Sequence, residues 1–521
     1  MNRTLPTSEP RYGFTLIEML VATALVVLIM LMFATIYGSA IGTITEQRGL
    51  ANNDQKARIV TNVIRNDLWN MTYRQAQFPY GTAQGIVPLA PGDSVIADPE
   101  NQRGYFYYSE NNFNNDGDDV LQFTAQIGIG QRGDAPSRSN QLPFVGRTAD
   151  LGVSNEPEDD DGQSNGQGQS RAAEISYFLR NGKLYRRVLL IRDPLRQSRV
   201  LPDQPSNGNG VLYFGTGTTA SSADHADFYD DFDYSASRRN DDGGTSYLWF
   251  HSIQSLNNNI GVKNFPLAIP NVRFGHAVTT GQPVEFDSNS VFFGRFTHQE
   301  TSDSDFSFPG EDTNNPYTRT DLEDTDSDGD IDVFEDGSRI SEDQLLANVE
   351  AFNIEVWDPG ANQYVSLGDS SSVRFADSER TNTTYGPNPG SNRVFDTWHP
   401  SVSISGDPDP PFRPRLSQLN GWTVVDWATA NTSGNDYVLP STLSNRSQAL
   451  VFALVSDDGT GKGPIEPEWP LTPGAQVRDG GIVWECVDNR IGLKSIRIII
   501  RYRDVGSHLP RQVTIVHSFV E

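Results

Sequence analysis

The sequence predicts an α+β fold in which one long N-terminal transmembrane helix packs on an antiparallel β-sheet, with two large insertions rich in loops and strands. The first observation behind this prediction is an apolar segment with no charged residue between Glu18 and Glu46. The second is a series of short alternating segments from about residue 104 onward, which is typical of strands. The third is the composition, because 46 glycines, 31 prolines and only 36% hydrophobic residues favour long loops between strands.

The helix is predicted to run from residue 14 to residue 78. Its uncharged first part exceeds the roughly 20 residues that a helix needs to cross a bilayer. An amphipathic stripe follows, with apolar residues spaced by four, four and three: Val60, Ile64, Leu68 and Met71. This stripe is expected to lie on the sheet. Pro79 is expected to end the helix, because proline lacks the backbone N–H that helical hydrogen bonding requires.

The junction before the apolar segment reads Arg11-Tyr12-Gly13-Phe14-Thr15-Leu16-Ile17-Glu18. A charged side chain in a membrane helix costs a few kcal/mol or more unless it has a partner, so Glu18 needs an explanation. A cleaved secretory signal does not fit, because its apolar region is shorter and its cleavage site follows that region. A plain membrane anchor explains the apolar segment, but it explains neither the Gly13-Phe14 junction nor Glu18.

The short leader, Gly-Phe junction, glutamate and apolar helix together resemble the prepilin signature of the type IV pilin-like family. The resemblance covers about residues 1–45. It implies that a prepilin peptidase cuts after Gly13, that Phe14 is then N-methylated, and that Glu18 faces the amine of a neighbouring subunit's Phe14 during assembly. Arg3 and Arg11 favour a cytoplasmic N-terminus, so the chain is expected to cross the bacterial inner membrane once with its body in the periplasm.

Seven segments are predicted along the chain. They are the leader (1–13), the transmembrane and amphipathic helix (14–78), a first part of the sheet (79–195), a first insertion (196–340), a strand region (341–365), a tryptophan-rich β insertion (366–489) and the final sheet strands (490–521). Within the first part of the sheet, the acidic and glycine-rich residues 156–170 are predicted to form a mobile loop.

Strands are predicted on both sides of Asn181-Gly182, a dipeptide that indicates a hairpin with a two-residue turn. Further strands are expected at 104–108, 119–124, 349–356, 493–501 and 511–516. The order of leader, helix, hairpin, late strand and final paired strands resembles that of the larger minor pilins and of the J-type minor pseudopilins of type II secretion.

Residues 324–335 match the twelve-residue EF-hand calcium loop, with glycine at position six and acids at the ligand positions. The predicted metal ligands are Asp324, Asp326, Asp328, Asp330 through its backbone carbonyl, Asp332 and Glu335. A solvated acidic turn is the alternative. Pro316 and Gly337 flank the loop and argue against a helix–loop–helix sensor, so we expect a structural Ca²⁺ that fastens the insertion. A weaker version at 112–118 lacks the closing acid and is predicted to be an ordinary turn.

The stretch from Val455 to Trp484 resembles a small β-module of phage-tail and other surface-binding proteins. Four tryptophans of this insertion are candidate ligand-binding residues if they are exposed: Trp422, Trp427, Trp469 and Trp484. The alternative is that these tryptophans form the core of the module. The single cysteine, Cys486, excludes an intrachain disulfide and is expected to fill a strand position.

The net charge of −27 disfavours binding to the phosphate backbone of nucleic acids. Phosphate-loop, nucleophile-elbow and zinc-helix motifs are missing from the sequence, so no enzyme is predicted.

The resulting hypothesis is a minor pilin or pseudopilin that joins the tip or initiation complex of a filament, with a prepilin peptidase and other minor and major pilins or pseudopilins as partners. A filament-tip adhesin that binds a glycan or surface ligand through its insertions is the alternative. A membrane-tethered enzyme is a further one.

Overall fold

The computed structural model describes residues 13, 15–74, 85–87, 103–112, 114–128, 142–150, 156–193, 212–213, 228–240, 246–256, 267–276, 283, 295–303, 337–372, 375, 393–397, 424–430, 437–441, 450–470, 472, 474–488, 492–504 and 509–520. The chain forms two compact units. One comprises Met1–Arg58 and Arg503–Pro510, and the other comprises Ile59–Tyr502 and Arg511–Glu521.

One long helix, α1 (Leu16–Trp69), and two single-turn helices, α2 (Phe228–Asp231) and α3 (His298–Thr301), lie in the described part of the chain. The strands are β1 (Phe106–Ser109), β2 (Val120–Gln126), β3 (Phe144–Arg147), β4 (Gln167–Ser170), β5 (Ala172–Arg180), β6 (Lys183–Ile191), β7 (Leu212–Tyr213), β8 (Ala236–Asn240), β9 (Ser246–Phe250), β10 (Gln344–Ala347), β11 (Val349–Asp358), β12 (Gln363–Val365), β13 (Val394–Asp396), β14 (Val424–Asp426), β15 (Tyr437–Leu439), β16 (Leu450–Asp457), β17 (Gln476–Asp479), β18 (Ile482–Asp488), β19 (Ser495–Arg503) and β20 (Pro510–Ser518).

The largest sheet has six strands in the order β10-β6-β5-β2-β1-β13, and its neighbouring strands are antiparallel. The predicted hairpin is confirmed as β5 and β6, which pair from Ala172 with Ile191 to Arg180 with Lys183. Asn181 and Gly182 both have positive φ, at 45° and 62°, as the two-residue hairpin turn requires. All of β5 is buried, which places this strand in the interior of the body.

The C-terminal part of α1 lies on this sheet. Val60, Ile64 and Leu68 of the stripe are at most 2% exposed. The helix ends at Trp69, so the prediction that it continues to residue 78 is wrong. The helix ends because the next residues hydrogen-bond to the sheet instead of to the preceding helical turn. Met71 forms a β-bridge with Ala125 of β2, and the Thr72 amide donates to the Thr124 carbonyl at 2.9 Å.

A second sheet contains the late strands, in the order β12-β11-β19-β20, and β11 is antiparallel to both β12 and β19. The strands predicted at 349–356, 493–501 and 511–516 correspond to β11, β19 and β20. Asn348 has a φ of 55° and lies between β10 and β11, where the chain passes from the six-stranded sheet to this one. This abrupt change in chain direction requires a residue with left-handed backbone angles. Asparagine tolerates that conformation better than most residues.

Segments from both predicted insertions contribute to the main sheet. β13, from the region 366–489, pairs with β1. In the region 196–340, Tyr234 and Ser252 form β-bridges with Leu190 and Arg192 at the end of β6. Residues 156–170 also depart from the predicted loop, because they form a 3₁₀ helix at Pro157–Asp160 and then β4.

The C-terminal module is a separate five-stranded sheet in the order β14-β15-β16-β18-β17. Its core consists of buried apolar side chains: Ala430, Val438, Leu450, Phe452, Trp469, Ile482, Trp484 and Cys486. Cys486 therefore occupies the buried strand position that the sequence predicted, in β18.

Candidate functional site

The predicted cleavage position, Gly13, is exposed, and a Cβ atom added to it would meet no other atom within 4 Å. The fold itself therefore does not require glycine here. Any need for a small residue at position 13 comes from an enzyme that binds this segment. Phe14, the predicted methylation site, lies outside the described residues.

Glu18 caps the helix to which it belongs. The Thr15 amide and the Thr15 hydroxyl both donate to Glu18 Oε2 at 2.9 Å, and the Glu18 amide donates to Thr15 Oγ1 at 3.4 Å. This reciprocal pair is a capping box, which satisfies N–H groups that have no partner in the first turn of a helix. The sequence predicted an intermolecular role for Glu18 and missed this local one, although the Thr-x-x-Glu spacing signals it.

The first part of α1 is long and apolar enough to cross a membrane, over the 22 residues from Leu16 to Tyr37. At 1.5 Å per residue it extends about 33 Å, slightly more than the roughly 30 Å hydrocarbon core of a bilayer. Besides Glu18, this span contains two threonines, Thr23 and Thr35. Their hydroxyls donate to main-chain carbonyls of the preceding turn at 2.9 to 3.0 Å, so neither leaves an unsatisfied donor in lipid.

A family model described as the prokaryotic N-terminal methylation motif matches residues 10–34. The match contains the Gly13-Phe14 junction, the capping box and most of the apolar segment. This N-terminus is type IV pilin-like. The motif is the substrate signature of prepilin peptidase, and with the apolar helix it fits a membrane-anchored protein. No curated protein and no solved structure matches the chain.

In the body, the helix carries a buried carboxylate to the sheet. Arg186 of β6 donates to Asp67 from Nε at 2.6 Å and from Nη2 at 2.9 Å. The Tyr177 hydroxyl of β5 donates to the same carboxylate. Burial and the neighbouring Asp67 charge raise the pKa of Tyr177 well above its usual value, so this hydroxyl keeps its proton and remains a donor. This group fixes the position of the helix along the hairpin.

Three buried carboxylates meet at the end of the β1–β2 hairpin: Glu110, Asp118 and Asp119. Each offers an oxygen that lies within 4.8 Å of the others. Burial raises the pKa of Glu110 to about 7, and burial together with the Glu110 charge raises the pKa of Asp119 well above its usual range. The turn predicted at 112–118 is present, since the Asn115 amide donates to the Asn112 carbonyl at 2.7 Å. The sequence did not predict the cluster that this turn closes.

A second acidic group, Asp150, Glu156 and Glu158, also brings carboxylate oxygens within 4.8 Å of one another. Asp150 is exposed, and Glu158 Oε1 accepts a hydrogen bond from the Gly166 amide at 3.0 Å. The calcium loop predicted at 324–335 lies outside the described residues, and so does Trp422.

The other candidate tryptophans lie in the core of the C-terminal module. Trp469 is 8% exposed and Trp484 is 2% exposed, so neither has a free face on which a sugar ring could stack. Trp427 is half-buried; its indole N–H donates to Asp479 Oδ2 at 2.6 Å, and Lys462 Nζ lies 4.6 Å from its ring centroid. For Trp469 and Trp484 the exposure on which a ligand-stacking role depends is therefore not met, and both belong to the module core, as in the alternative interpretation.

A buried serine lies beside a histidine and a carboxylate: Ser235 Oγ is 2.7 Å from His251 Nδ1 and donates to Glu174 Oε2 at 2.6 Å. In a hydrolase triad the histidine lies between the serine and the acid. Here the serine lies between the other two, and all three side chains are at most 2% exposed. Glu174 also accepts from Gln122 at 2.8 Å. The group is a buried polar network that connects β5 to neighbouring segments.

Proposed function

We propose that this chain is a minor pilin or minor pseudopilin that joins the tip or initiation complex of a type IV pilus-like or type II secretion filament. The observation that carries the proposal is the N-terminal junction, where Gly13 and the Thr15–Glu18 capping box directly precede an apolar helix of membrane length. In this account a prepilin peptidase removes residues 1–13, and the apolar helix then moves from the inner membrane into the filament core. The body lies in the periplasm until assembly.

The size of the body supports a minor rather than a major subunit. The described part beyond the helix contains five sheets, including the separate C-terminal module. A repeating subunit must pack against copies of itself along the whole filament, whereas a tip subunit has one free end on which large insertions can be accommodated. The partners are then the peptidase and the other minor and major pilins or pseudopilins.

Glu18 has two roles in this proposal, and they can be separated. In the isolated chain it caps its own helix; in the filament its charge faces the amine at Phe14 of a neighbouring subunit. Glutamine also functions in a capping box, so Glu18→Gln keeps the cap and removes only the charge. Thr15→Val removes the hydroxyl of the cap and keeps the charge.

The test measures how much of each variant enters purified filaments when all are expressed at equal levels with their peptidase. We expect Glu18→Gln and Glu18→Ala to be inserted and processed normally but to be depleted in filaments at least about tenfold, the effect of 1.4 kcal/mol of lost subunit affinity. Thr15→Val is expected to be incorporated nearly as well as the wild type. Normal incorporation of Glu18→Gln together with loss of Thr15→Val would mean that the cap, and not the charge, is what assembly requires.

The filament-tip adhesin is the second candidate. Burial of Trp469 and Trp484 removes two of the side chains on which it depended. The adhesin candidate would regain support if the full chain bound a glycan on an array and the Trp427→Ala variant did not. Binding of structural Ca²⁺ at residues 324–335 remains part of the proposal, since the ligand spacing of that loop supports it.

A further inference from the structure

The loop that connects β1 to β2 contains an acidic cluster, which consists of Glu110, Asp118 and Asp119. Their exposed fractions are 2%, 1% and 1%. Their ligand oxygens lie within 4.8 Å of one another. Ionised carboxylates rarely share a dry site, because their mutual repulsion is strong in a medium of low dielectric constant. Something must therefore compensate the charge of this cluster.

Two oxygens of the acidic cluster have no donor. Glu110 Oε1 and Asp119 Oδ1 are buried, and no N–H or hydroxyl group among the described residues donates to them. Buried carboxylate oxygens are nearly always hydrogen-bonded or bound to a metal. Both oxygens belong to carboxylates of the acidic cluster, whose ligand oxygens lie within 4.8 Å of one another, so unsatisfied acceptors and convergent carboxylates occur at the same place.

The second oxygen of Asp119 shows what the acidic cluster holds in place. Asp119 Oδ2 accepts from the amide of Ile354 in β11, and the Ile354 carbonyl accepts from the Tyr108 hydroxyl of β1. Two residues earlier in β11, the Phe352 amide donates to the Asp116 carbonyl at 2.7 Å. The β1–β2 loop thus satisfies the free edge of β11, and the cluster lies where the six-stranded sheet meets the four-stranded one.

The chemistry of the ligands selects a hard divalent cation. Ca²⁺ binds carboxylate oxygens at about 2.3–2.6 Å, so one ion can bridge oxygens up to roughly 5 Å apart, which matches the separation in the cluster. The Arg393 guanidinium attracts the Glu110 carboxylate, and Ser366 hydrogen-bonds it. Three carboxylates, one divalent cation and Arg393 together make the buried site neutral.

We propose that Glu110, Asp118 and Asp119 form a Ca²⁺ site that fastens the β1–β2 loop to the edge of β11. The site is distinct from the loop predicted at 324–335, and it lies in the body and not in an insertion. The competing explanation is that protons shared between the carboxyl groups hold the cluster together without metal.

The test uses the full chain in detergent, stripped with chelator, in a background that carries Asp326→Asn and Glu335→Gln to remove ligands of the other loop. Calorimetric titration with CaCl₂ is expected to show one bound ion and a higher melting temperature in calcium. Glu110→Gln and Asp119→Asn each preserve shape and are expected to weaken binding at least about tenfold. Asp116→Asn is the matched control, because Asp116 lies in the same loop but its carboxylate contacts Asn353 and Arg501 instead of the cluster.

Melting in chelator distinguishes a lost ligand from a damaged fold. Because each substitution removes one buried charge, both variants are expected to be at least as stable as the background chain without calcium, and to gain less stability from calcium than the background chain does. If either variant unfolds in chelator, Asp118→Asn replaces it as the test of the same ligand set. The proposal is overturned if the background chain shows neither heat nor a shift in melting temperature up to 10 mM Ca²⁺ (about tenfold above the weakest extracellular sites). It is equally overturned if the ligand variants bind as tightly as Asp116→Asn.

Discussion

Asp67 of α1 and Arg186 of β6 are joined by two parallel hydrogen bonds, of 2.6 Å from Nε and 2.9 Å from Nη2. The carboxylate is only 1% exposed, and the arginine side chain is 23% exposed. An ion pair with this geometry fixes the relative orientation of its two side chains as well as stabilising the fold, because a planar guanidinium fits a carboxylate in one orientation. The pair therefore sets the register of the helix on the sheet.

Removal of this carboxylate should destabilise the body. Asp67→Ala leaves the Arg186 guanidinium and the Tyr177 hydroxyl without their shared acceptor, and loss of one partner of a buried pair costs about 3 kcal/mol. Thermal unfolding of the detergent-solubilised full chain measures the effect. The control is Arg478→Ala, which breaks an exposed pair with Asp458 and should leave the melting temperature unchanged. Equal stability of the two variants would mean that the apolar stripe alone positions the helix.

Acidification should destabilise the protein through His298. Burial lowers the pKa of His298 well below 6.5, and repulsion by Arg187 and Arg339 lowers it further. The unfolded chain takes up a proton near pH 6.5 and the folded protein does not, so the stability due to neutral His298 is complete above pH 6.5 and lost below it. The slope is about 1.4 kcal/mol per pH unit for one proton.

The experiment on His298 compares melting at pH 7.5 and 5.5 for the wild type and for His298→Gln, which keeps a polar side chain without the titration. Two acids contact this residue: Asp343 accepts from the His298 amide at 3.0 Å, and Asp233 lies 3.5 Å from its ring. Burial raises the pKa of Asp343 to about 6. The stability due to protonated Asp343 is therefore complete below pH 3.8 and is lost as the pH rises to 6, which is opposite to the effect of His298. The variant should therefore lose less stability than the wild type on acidification; an equal loss would assign the effect to other groups.

Calcium should protect the insertion around residues 300–340 from protease. The loop at 324–335 is expected to bind Ca²⁺ with a Kd of about 10⁻⁴ to 10⁻³ M, the range for extracellular modules. At ten times that Kd, binding stabilises the folded state by about 1.4 kcal/mol. Limited proteolysis of the full chain in calcium and in chelator shows the difference, and Asp326→Ala or Glu335→Ala should abolish it at this site. Identical digestion patterns for the wild type in both conditions would mean that residues 324–335 are only an acidic turn without bound calcium.

Local patterns predicted those parts of the fold that local chemistry decides. Asn181-Gly182 predicted the central hairpin, because few residues other than asparagine and glycine tolerate positive φ at both turn positions. The alternating character of residues 493–501 predicted a strand, and alternate residues of β19 are buried. Such signals depend on neighbouring residues, so one sequence is sufficient to find them.

Features that depend on distant partners could not be predicted. The acidic and glycine-rich composition of residues 156–170 predicts a mobile loop, but Arg192 neutralises Asp160 with two hydrogen bonds of 2.7 and 2.8 Å. β13 is three residues long and gains its place only by pairing with β1, almost 290 residues earlier in the chain. The acidic cluster needs no distant residue, but Glu110 meets Asp118 and Asp119 only once the β1–β2 register is fixed, which residue spacing alone does not indicate.

We propose that this chain is a processed type IV pilin-like protein, and the mass of its N-terminal peptide is a direct test of that proposal. Coexpressed with an active prepilin peptidase, the mature chain should begin at N-methylated Phe14. Gly13→Ala should still be cleaved, whereas Gly13→Leu should not; since the fold leaves open space at Gly13, both variants should be equally stable. A mature protein that retains residues 1–13 in the presence of the peptidase would contradict the account.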